Sequence, residues 1–341
     1  MNKKITFGIV GYGSIAQHHI ACIEAIDAAK LLAITSKNQE KRLEIEQQYG
    51  IKTFENLEDM LALEDLDVLC ICTPNGYHLE PCLAAAKAGK HVITEKPLEI
   101  NPERCEQMIS ACKEAHVILS CIFQNRYIPG YLKLKDIVAE GHLGKLLLCN
   151  VSVKWYRQPS YYANNNWRGT LKGDGGAALI TQSIHYLDQM LNVMGPVTSV
   201  SAKTKTLYHD IEGEDIGIAI VEFKNGALGT IEGSTAIYAG YPEKLEIHGC
   251  DGSIVLESGK IVDCKLRNPI DLNLEKVKGT TSASTDPTAV ALDLHITQFE
   301  HIIDCIQNNK EPEVNGEEAI KVIRLLDAIY ESSKTGKTIY L

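Results

Sequence analysis

The chain has 341 residues and a mass of 37.6 kDa, which at about 150 residues per domain predicts two domains, each able to bury its own core. A net charge of −10 excludes broad electrostatic capture of nucleic acid or of an anionic membrane surface, and no uncharged run approaches the ~20 residues of a membrane span. The sequence opens Met1-Asn2-Lys3-Lys4 and passes directly into the strand-like Ile5–Val10. It lacks the apolar stretch and cleavage site of a secretion signal, so a cytoplasmic location is expected.

From Ile5 to about Phe123, short apolar runs alternate with helical patterns that carry charge on one face. Ile5–Val10, Leu31–Thr35, Val68–Thr73, His91–Thr94 and Val117–Phe123 read as buried strands. The alternation predicts an α/β protein with an N-terminal doubly wound (Rossmann) parallel sheet, a dinucleotide-binding domain over residues 1–124. After Asn125 the texture changes to a helix near Tyr131–Glu140. Strands of period two follow at Leu146–Tyr156, Val197–Leu207, Ile216–Phe223, Ala227–Ser234 and Lys244–Gly249. With closing helices at Val290–Asn308 and Gly316–Lys334, residues 125–341 are expected to form an α+β domain with a large, mostly antiparallel sheet. Such a sheet has two faces to cover, and the face left bare is expected to be an oligomer interface. The polar and aromatic Tyr156–Gly176 reads as a loop at a binding mouth, and Gly279–Pro287 as a mobile surface loop. Eleven cysteines, scattered over predicted strands and helices, read as small core residues in a reducing compartment. Only Cys70 and Cys72 are closely spaced, and no partner follows at a zinc-ligand spacing, so no metal is expected.

The first strand ends in Gly11-Tyr12-Gly13-Ser14-Ile15-Ala16 and a helix pattern starts at once. Gly11 permits the tight turn, Gly13 lets a pyrophosphate approach the backbone, and Ser14 and Ile15 open the helix that faces it. The second strand ends at Ser36-Lys37, where an NAD enzyme usually places a carboxylate on the ribose. A hydroxyl and a cation, with Lys41 and Arg42 one turn later, instead suit a 2′-phosphate. NADP(H) is therefore the favoured cofactor and NAD(H) a possible one, the alternative being a solvated helix start. The next strands end in Thr73-Pro74-Asn75 with His78 and in Glu95-Lys96-Pro97, placing polar groups at carboxyl ends of parallel strands, where doubly wound proteins bind ligands. Read alone, Lys96 is as readily a surface charge.

Together, Gly11-Tyr12-Gly13, Thr73-Pro74-Asn75 with His78, Gly89-Lys90-His91-Val92 leading to Glu95-Lys96-Pro97, Gly175-Gly176 leading to His185 and Asp188, and the ending Tyr330–Lys337 carry a resemblance. The chain resembles the Gfo/Idh/MocA oxidoreductases, named for glucose-fructose oxidoreductase and inositol dehydrogenase, over essentially its whole length. The resemblance implies an NAD(P)-dependent enzyme that passes hydride between nicotinamide and a secondary hydroxyl or ketone of a sugar, sugar derivative or cyclic polyol. It also implies a homodimer or homotetramer. Lys96 would lie at the nicotinamide end and bond the reacting hydroxyl, with His185 as proton acceptor. Hydride loss from an alcohol requires concerted proton removal, for which an imidazole and a nearby ammonium are fit. The two roles could be exchanged without any change visible in sequence.

A predicted helix over Ala177–Met194 puts Thr181 and His185 on one face, with Gln182 close by. Many members of the family carry Asp where this chain has Thr181. That departure resembles a branch of sugar and nucleotide-sugar dehydrogenases. Asn125, Trp167 and Arg168 are candidates for the cofactor, and Arg126, Tyr156, Trp167 and Tyr241 for the substrate. Aromatic faces stack on sugars or nicotinamide, and Arg126 and Arg168 either fork to an anionic group or stabilise the domain junction. Two rival readings of the same fold are a dinucleotide sensor without catalysis and a glycosidase that recycles its NAD.

Overall fold

The computed structural model describes residues 3–163, 166–271, 284 and 292–341. The chain divides into two compact units, Met1–Ile122 with Leu292–Ile320, and Phe123–Ala291 with Lys321–Leu341.

In the first unit, β1 (Ile5–Val10), β2 (Ala29–Thr35), β3 (Lys52–Phe54), β4 (Val68–Ile71), β5 (His91–Thr94) and β6 (Leu119–Cys121) alternate with α1 (Ser14–Ala25), α2 (Gln39–Tyr49), α3 (Leu57–Leu61), α4 (Leu79–Lys87) and α5 (Pro102–Glu114). The strands pair in parallel in the order β3-β2-β1-β4-β5-β6. Strand order therefore reverses between β1 and β4, which is where a doubly wound sheet opens a crevice. All four residues of β4 are buried, the continuous apolar signature of a strand covered on both faces. The sequence-predicted strands are present, β1 and β5 with the expected bounds, β4 and β6 shorter, and β2 starting two residues earlier. β3 is an addition, too short to show a period.

The first unit is completed from far along the chain. Phe299, Ile302 and Ile303 of α9 (Leu292–Asn308) share one core with Phe7, Ile9, Ile20 and Ile23. The expected division at residue 124 is thus corrected: the break follows Ile122, and Leu292–Ile320, expected in the second domain, belongs to the first unit.

The second unit holds α6 (Pro129–Ala139), β7 (Leu146–Lys154), α7 (Pro159–Ala163), a π-helical segment Ala178–Ser183, α8 (Ile184–Met194), and strands β8 (Val197–Lys205), β9 (Ile216–Phe223), β10 (Leu228–Ser234), β11 (Lys244–Gly249), β12 (Gly252–Glu257) and β13 (Lys260–Leu266). With β14 (Ile339–Tyr340), after α10 (Gly316–Thr335), they form an eight-stranded sheet in the order β13-β12-β11-β7-β10-β9-β8-β14. It is antiparallel except where β10 lies parallel to β7. Ala219, Val221, Phe223 and Ile231 are buried beneath the π-helical segment and α8, while Ile218, Ile220 and Leu228 stand 52%, 59% and 53% exposed on the other face. Gly217 and Gly233 oppose one another in register, and a Cβ at either would press on Leu179. Glycine there lets the π-helical segment settle directly on the sheet. The Gly279–Pro287 loop, apart from Ser284, lies outside the described residues.

Candidate active site

At the switch point of the first unit, Gly11 has φ +90°, and a Cβ on it would stand 2.7 Å from the carbonyl oxygen of Cys72. Both the turn and the close approach of the β1 and β4 ends require glycine. Gly13 is different: nothing lies within 4 Å of the position its Cβ would take. It precedes α1, whose first turn has no side-chain cap. Tyr12, Ser14 and Ile15 complete this turn. Open backbone beside unsatisfied helix N–H groups is what a pyrophosphate needs, so these residues fit a dinucleotide.

At the end of β2, Asn38 caps α2 by accepting from the Lys41 N–H at 3.0 Å. Arg42 Nη1 donates to the Ser36 carbonyl at 2.7 Å and Nη2 meets Glu55 at 3.4 Å. Arg42 therefore braces the loop. Lys37 is exposed, and Ser36 is half-buried beside it. Thr73 donates its hydroxyl to Tyr77 O at 2.9 Å, and Asn75 is buried in the short turn that follows.

His78, a cofactor candidate from the sequence, is enclosed by the protein. It is fully buried, with Nδ1 2.9 Å from Pro97 O and Nε2 3.0 Å from Thr73 O. It ties the loop after β4 to the loop after β5, a positioning contact inside the protein. Glu95 is likewise buried. Its Oε1 lies 2.8 Å from His19 Nε2, on α1, and 4.0 Å from His295 Nε2, on α9, while Oε2 accepts the Lys96 N–H at 3.2 Å. Burial alone would raise the Glu95 carboxyl, but the His19 hydrogen bond and the charges of His19, His295 and Lys96 bring it down to about 2. Lys96 itself is half-buried.

In the second unit the expected single helix is two elements, the π-helical segment and then α8. The Ser183 hydroxyl donates to Ala178 O, five residues back, at 2.8 Å, and π segments often mark functional sites. Between Ala177 and Gln189 almost every residue is fully enclosed. Thr181 and Gln182, each 8% exposed, and His185, 9% exposed, reach furthest toward the surface. The Thr181 hydroxyl donates to Asp174, whose other oxygen accepts the Gly169 N–H at 2.7 Å. Gln182 Nε2 donates to the Tyr161 hydroxyl at 2.9 Å and its Oε1 accepts from Arg157 at 2.8 Å. Phe123 meets the His185 ring edge-on, centroids 5.7 Å apart. Glu214 clamps the start of the segment, accepting from Leu179 N at 2.7 Å, Ala177 N at 3.1 Å and the Tyr330 hydroxyl at 3.2 Å. Burial raises the Glu214 carboxyl to about 7 against these donors.

The arginines separate. Arg126 is buried and places Nε and Nη2 on the two oxygens of Asp188 at 2.8 and 2.6 Å, a clamp inside the second unit. Arg168 lies over the Tyr161 ring at 4.2 Å and the Trp167 ring at 5.5 Å. Asn125 gives its carbonyl to Gln189 Nε2 at 2.8 Å. Tyr156 bonds the Tyr208 hydroxyl at 3.1 Å and meets the Tyr238 ring edge-on, whereas Tyr241 is exposed after β10, its N–H on Lys154 O. Sequence reasoning missed Asp174, Arg157, Glu214 and His19, whose partners lie 7, 25, 35 and 76 residues away. The polarity of the Tyr156–Gly176 loop was the only pointer to the first two.

The switch-point glycine turn and the open first turn of α1 define a dinucleotide-binding fold. Residues 5–123 match the oxidoreductase family, NAD-binding Rossmann fold, and residues 135–341 match its C-terminal alpha/beta domain. The chain belongs to the Gfo/Idh/MocA family. It is 29% identical to myo-inositol 2-dehydrogenase of Thermotoga maritima over 257 residues, 74% of this chain and 75% of that one. It is 27% identical to the scyllo-inositol 2-dehydrogenase (NADP(+)) IolW of Bacillus subtilis, across 99% and 96% of the two chains. A crystal structure of the WlbA dehydrogenase from Bordetella pertussis, in complex with NADH and UDP-GlcNAcA, superposes with a TM-score of 0.91 at 32% identity, covering 100% of this chain and 98% of that one.

Proposed function

We propose that this oxidoreductase acts on a secondary hydroxyl, or the corresponding ketone, of a sugar, sugar derivative or cyclic polyol, with Lys96 and His185 as its catalytic residues. The observation that carries the reading is Lys96 at the carboxyl end of β5 in the sheet whose β1 end presents Gly11 and Gly13. Relatives named as inositol dehydrogenases and a neighbour holding a nucleotide sugar support the substrate class. Gly11, Gly13 and the open first turn of α1 hold the dinucleotide, and the nicotinamide supplies the hydride acceptor or donor. Lys96 donates from its ammonium to the reacting oxygen and stabilises developing alkoxide. His185 takes the hydroxyl proton at a ring nitrogen and returns it in the reverse direction. Glu95 fixes the Lys96 backbone, and Thr181 and Gln182 present hydrogen-bonding groups beside the base.

NADP(H) is favoured and NAD(H) accepted, because Ser36 and the exposed Lys37 stand where a carboxylate would repel a 2′-phosphate. The enzyme works in the cytoplasm, in keeping with eleven free cysteines, as a homodimer or homotetramer. The test is a screen of inositols, sugars and nucleotide sugars with both cofactors, following absorbance of the reduced nicotinamide. Turnover with at least one such alcohol is expected. Tight dinucleotide binding without turnover of any of them overturns the reading in favour of a sensor.

A further inference from the structure

Thr181 stands one helical turn before His185, and both reach toward the surface from an otherwise enclosed stretch of chain. In many members of the family the position of Thr181 holds a carboxylate, and here it holds a hydroxyl. A carboxylate is nevertheless present, brought in from the polar loop. Asp174 is 1% exposed, and its two oxygens serve two elements: one takes the Gly169 N–H at 2.7 Å, the other the Thr181 hydroxyl. The Asp174 N–H, on Thr170 O at 2.9 Å, closes the loop behind it.

An ionised carboxylate only accepts, so the Thr181 hydrogen is committed to Asp174 and the Thr181 oxygen turns lone pairs to whatever lies on its other side. The charge is felt beyond that bond. Burial raises the phenols of Tyr161 and Tyr162 on α7 and of Tyr330 on α10, and the Asp174 charge adds to each. The cations of the neighbourhood, Arg157 and Arg168, stand over the Tyr161 ring at 5.7 and 4.2 Å. Around His185 itself, Phe123 carries no charge, and Asp188 is bonded through both oxygens to Arg126. Glu214 lies further back, on the N–H groups of Ala177 and Leu179. Asp174 is the carboxylate that reaches the His185 face, and it does so through Thr181.

We propose that Asp174 is a positioning residue for proton transfer at His185, supplying through the Thr181 hydroxyl the carboxylate that this chain lacks at position 181. The inference rests on the dehydrogenase reading of the site, with His185 as proton acceptor. Asp174 gives the Thr181 hydroxyl a fixed polarity, an acceptor for a substrate O–H or for an imidazolium N–H. It also sets a negative charge where it favours the imidazolium that forms when the hydroxyl proton is taken.

Asp174→Asn tests that polarity without removing a bond. Its amide oxygen still takes the Gly169 N–H, while its NH2 donates to Thr181 and frees the Thr181 hydrogen to face the other way. The His185 ring is followed by NMR in the ligand-free protein, its signal identified by absence from His185→Ala. Asp174→Asn is expected to lower the midpoint of the His185 titration by about 0.5 pH unit or more, since a negative charge near the ring is lost. In oxidation of UDP-GlcNAcA and of myo-inositol by NAD+, kcat is expected to fall about tenfold or more, with a much smaller change in NADH affinity because Gly169 stays held. Thr181→Asp alone sets two carboxylates against each other and should lose at least as much. Combined with Asp174→Asn it should regain about tenfold over Thr181→Asp, because the amide then holds the new carboxylate beside the base. This last comparison decides the matter where Asp174→Asn alone folds poorly. A His185 midpoint unmoved by Asp174→Asn, equal losses of kcat and NADH affinity, or a double variant no better than Thr181→Asp each overturns the proposal. Turnover is scored separately: a midpoint that moves as expected with no turnover of any sugar or polyol defeats the dehydrogenase reading alone, and turnover with the midpoint unmoved defeats this one alone.

Discussion

Lys96→Met and His185→Ala should each lower kcat by about a hundredfold or more, the usual weight of a positioned acid or base, with NADH affinity nearly unchanged. Two variants with near wild-type turnover in steady-state assays would remove these residues from the chemistry. Ser36→Asp should weaken NADPH binding by about 10- to 100-fold more than NADH binding, because it restores a charge that repels the 2′-phosphate; equal effects in a fluorescence titration would refute a phosphate contact there. Glu95 makes a pH prediction. Its carboxyl is held at about 2, below the ordinary 4.5, so its stabilisation is complete above pH 4.5 and is lost as pH falls toward 2. The loss amounts to about 3 kcal/mol at most. Urea unfolding across that window should show the loss in the wild type and a flatter dependence in Glu95→Gln. The glycine turn and Lys96 were legible in sequence because each is a local motif with its own context. The inward turn of His78 and the Arg126–Asp188 pair were not, since each depends on a partner that packing brings from 19 and 62 residues away.

Among elements, the junction from the polar loop into the π-helical segment is the tightest. Gly176 has φ +155°, and a Cβ there would collide with the Tyr330 hydroxyl and approach Glu214 Oε2 to 2.9 Å. A Cβ at Gly213 would stand 2.6 Å from the Gly176 backbone. The two glycines let the chain pass while Glu214 binds Ala177 and Leu179. Gly176→Ala should therefore cost about 2–4 kcal/mol, through a displaced buried hydrogen bond and backbone strain. A change in unfolding free energy below about 0.5 kcal/mol would show that the junction yields freely. The periodic pattern marked Ala177–Met194 as helical because its apolar residues recur on one face. It could not mark the π turn, which changes the hydrogen-bond ladder without changing residue types. β12 and β13 escaped notice because Gly252–Glu257 is a short run opening on Gly252-Ser253, and the edge strand Lys260–Leu266 spreads Lys260, Asp263 and Lys265 over both faces.

At the scale of the whole molecule, the eight-stranded sheet is covered by the π-helical segment and α8 on one face, while Ile218, Ile220 and Leu228 lie open on the other. Exposed branched residues on adjacent strands are poorly suited to water and well suited to a second copy of the same sheet. Light scattering at micromolar concentration should find a dimer or larger, and Ile218→Lys with Ile220→Lys should shift it to monomer. A stable wild-type monomer would count against the proposed assembly. The change from alternating strand–helix segments to period-two strands gave the two-domain plan and nearly the right break. The return of α9 to the first unit carries no such signal, because an amphipathic helix does not announce which core it serves.

That return has a consequence for how the protein comes into being. When the ribosome has released the first 122 residues, the sheet that grips the dinucleotide still lacks Phe299, Ile302 and Ile303. The chain must run on to Ile303, 181 residues beyond Ile122, before its core can close. The nascent nucleotide-binding half is thus a late folder, bare on one flank during most of translation, and a gene fragment cut at the apparent domain boundary would express that unfinished state.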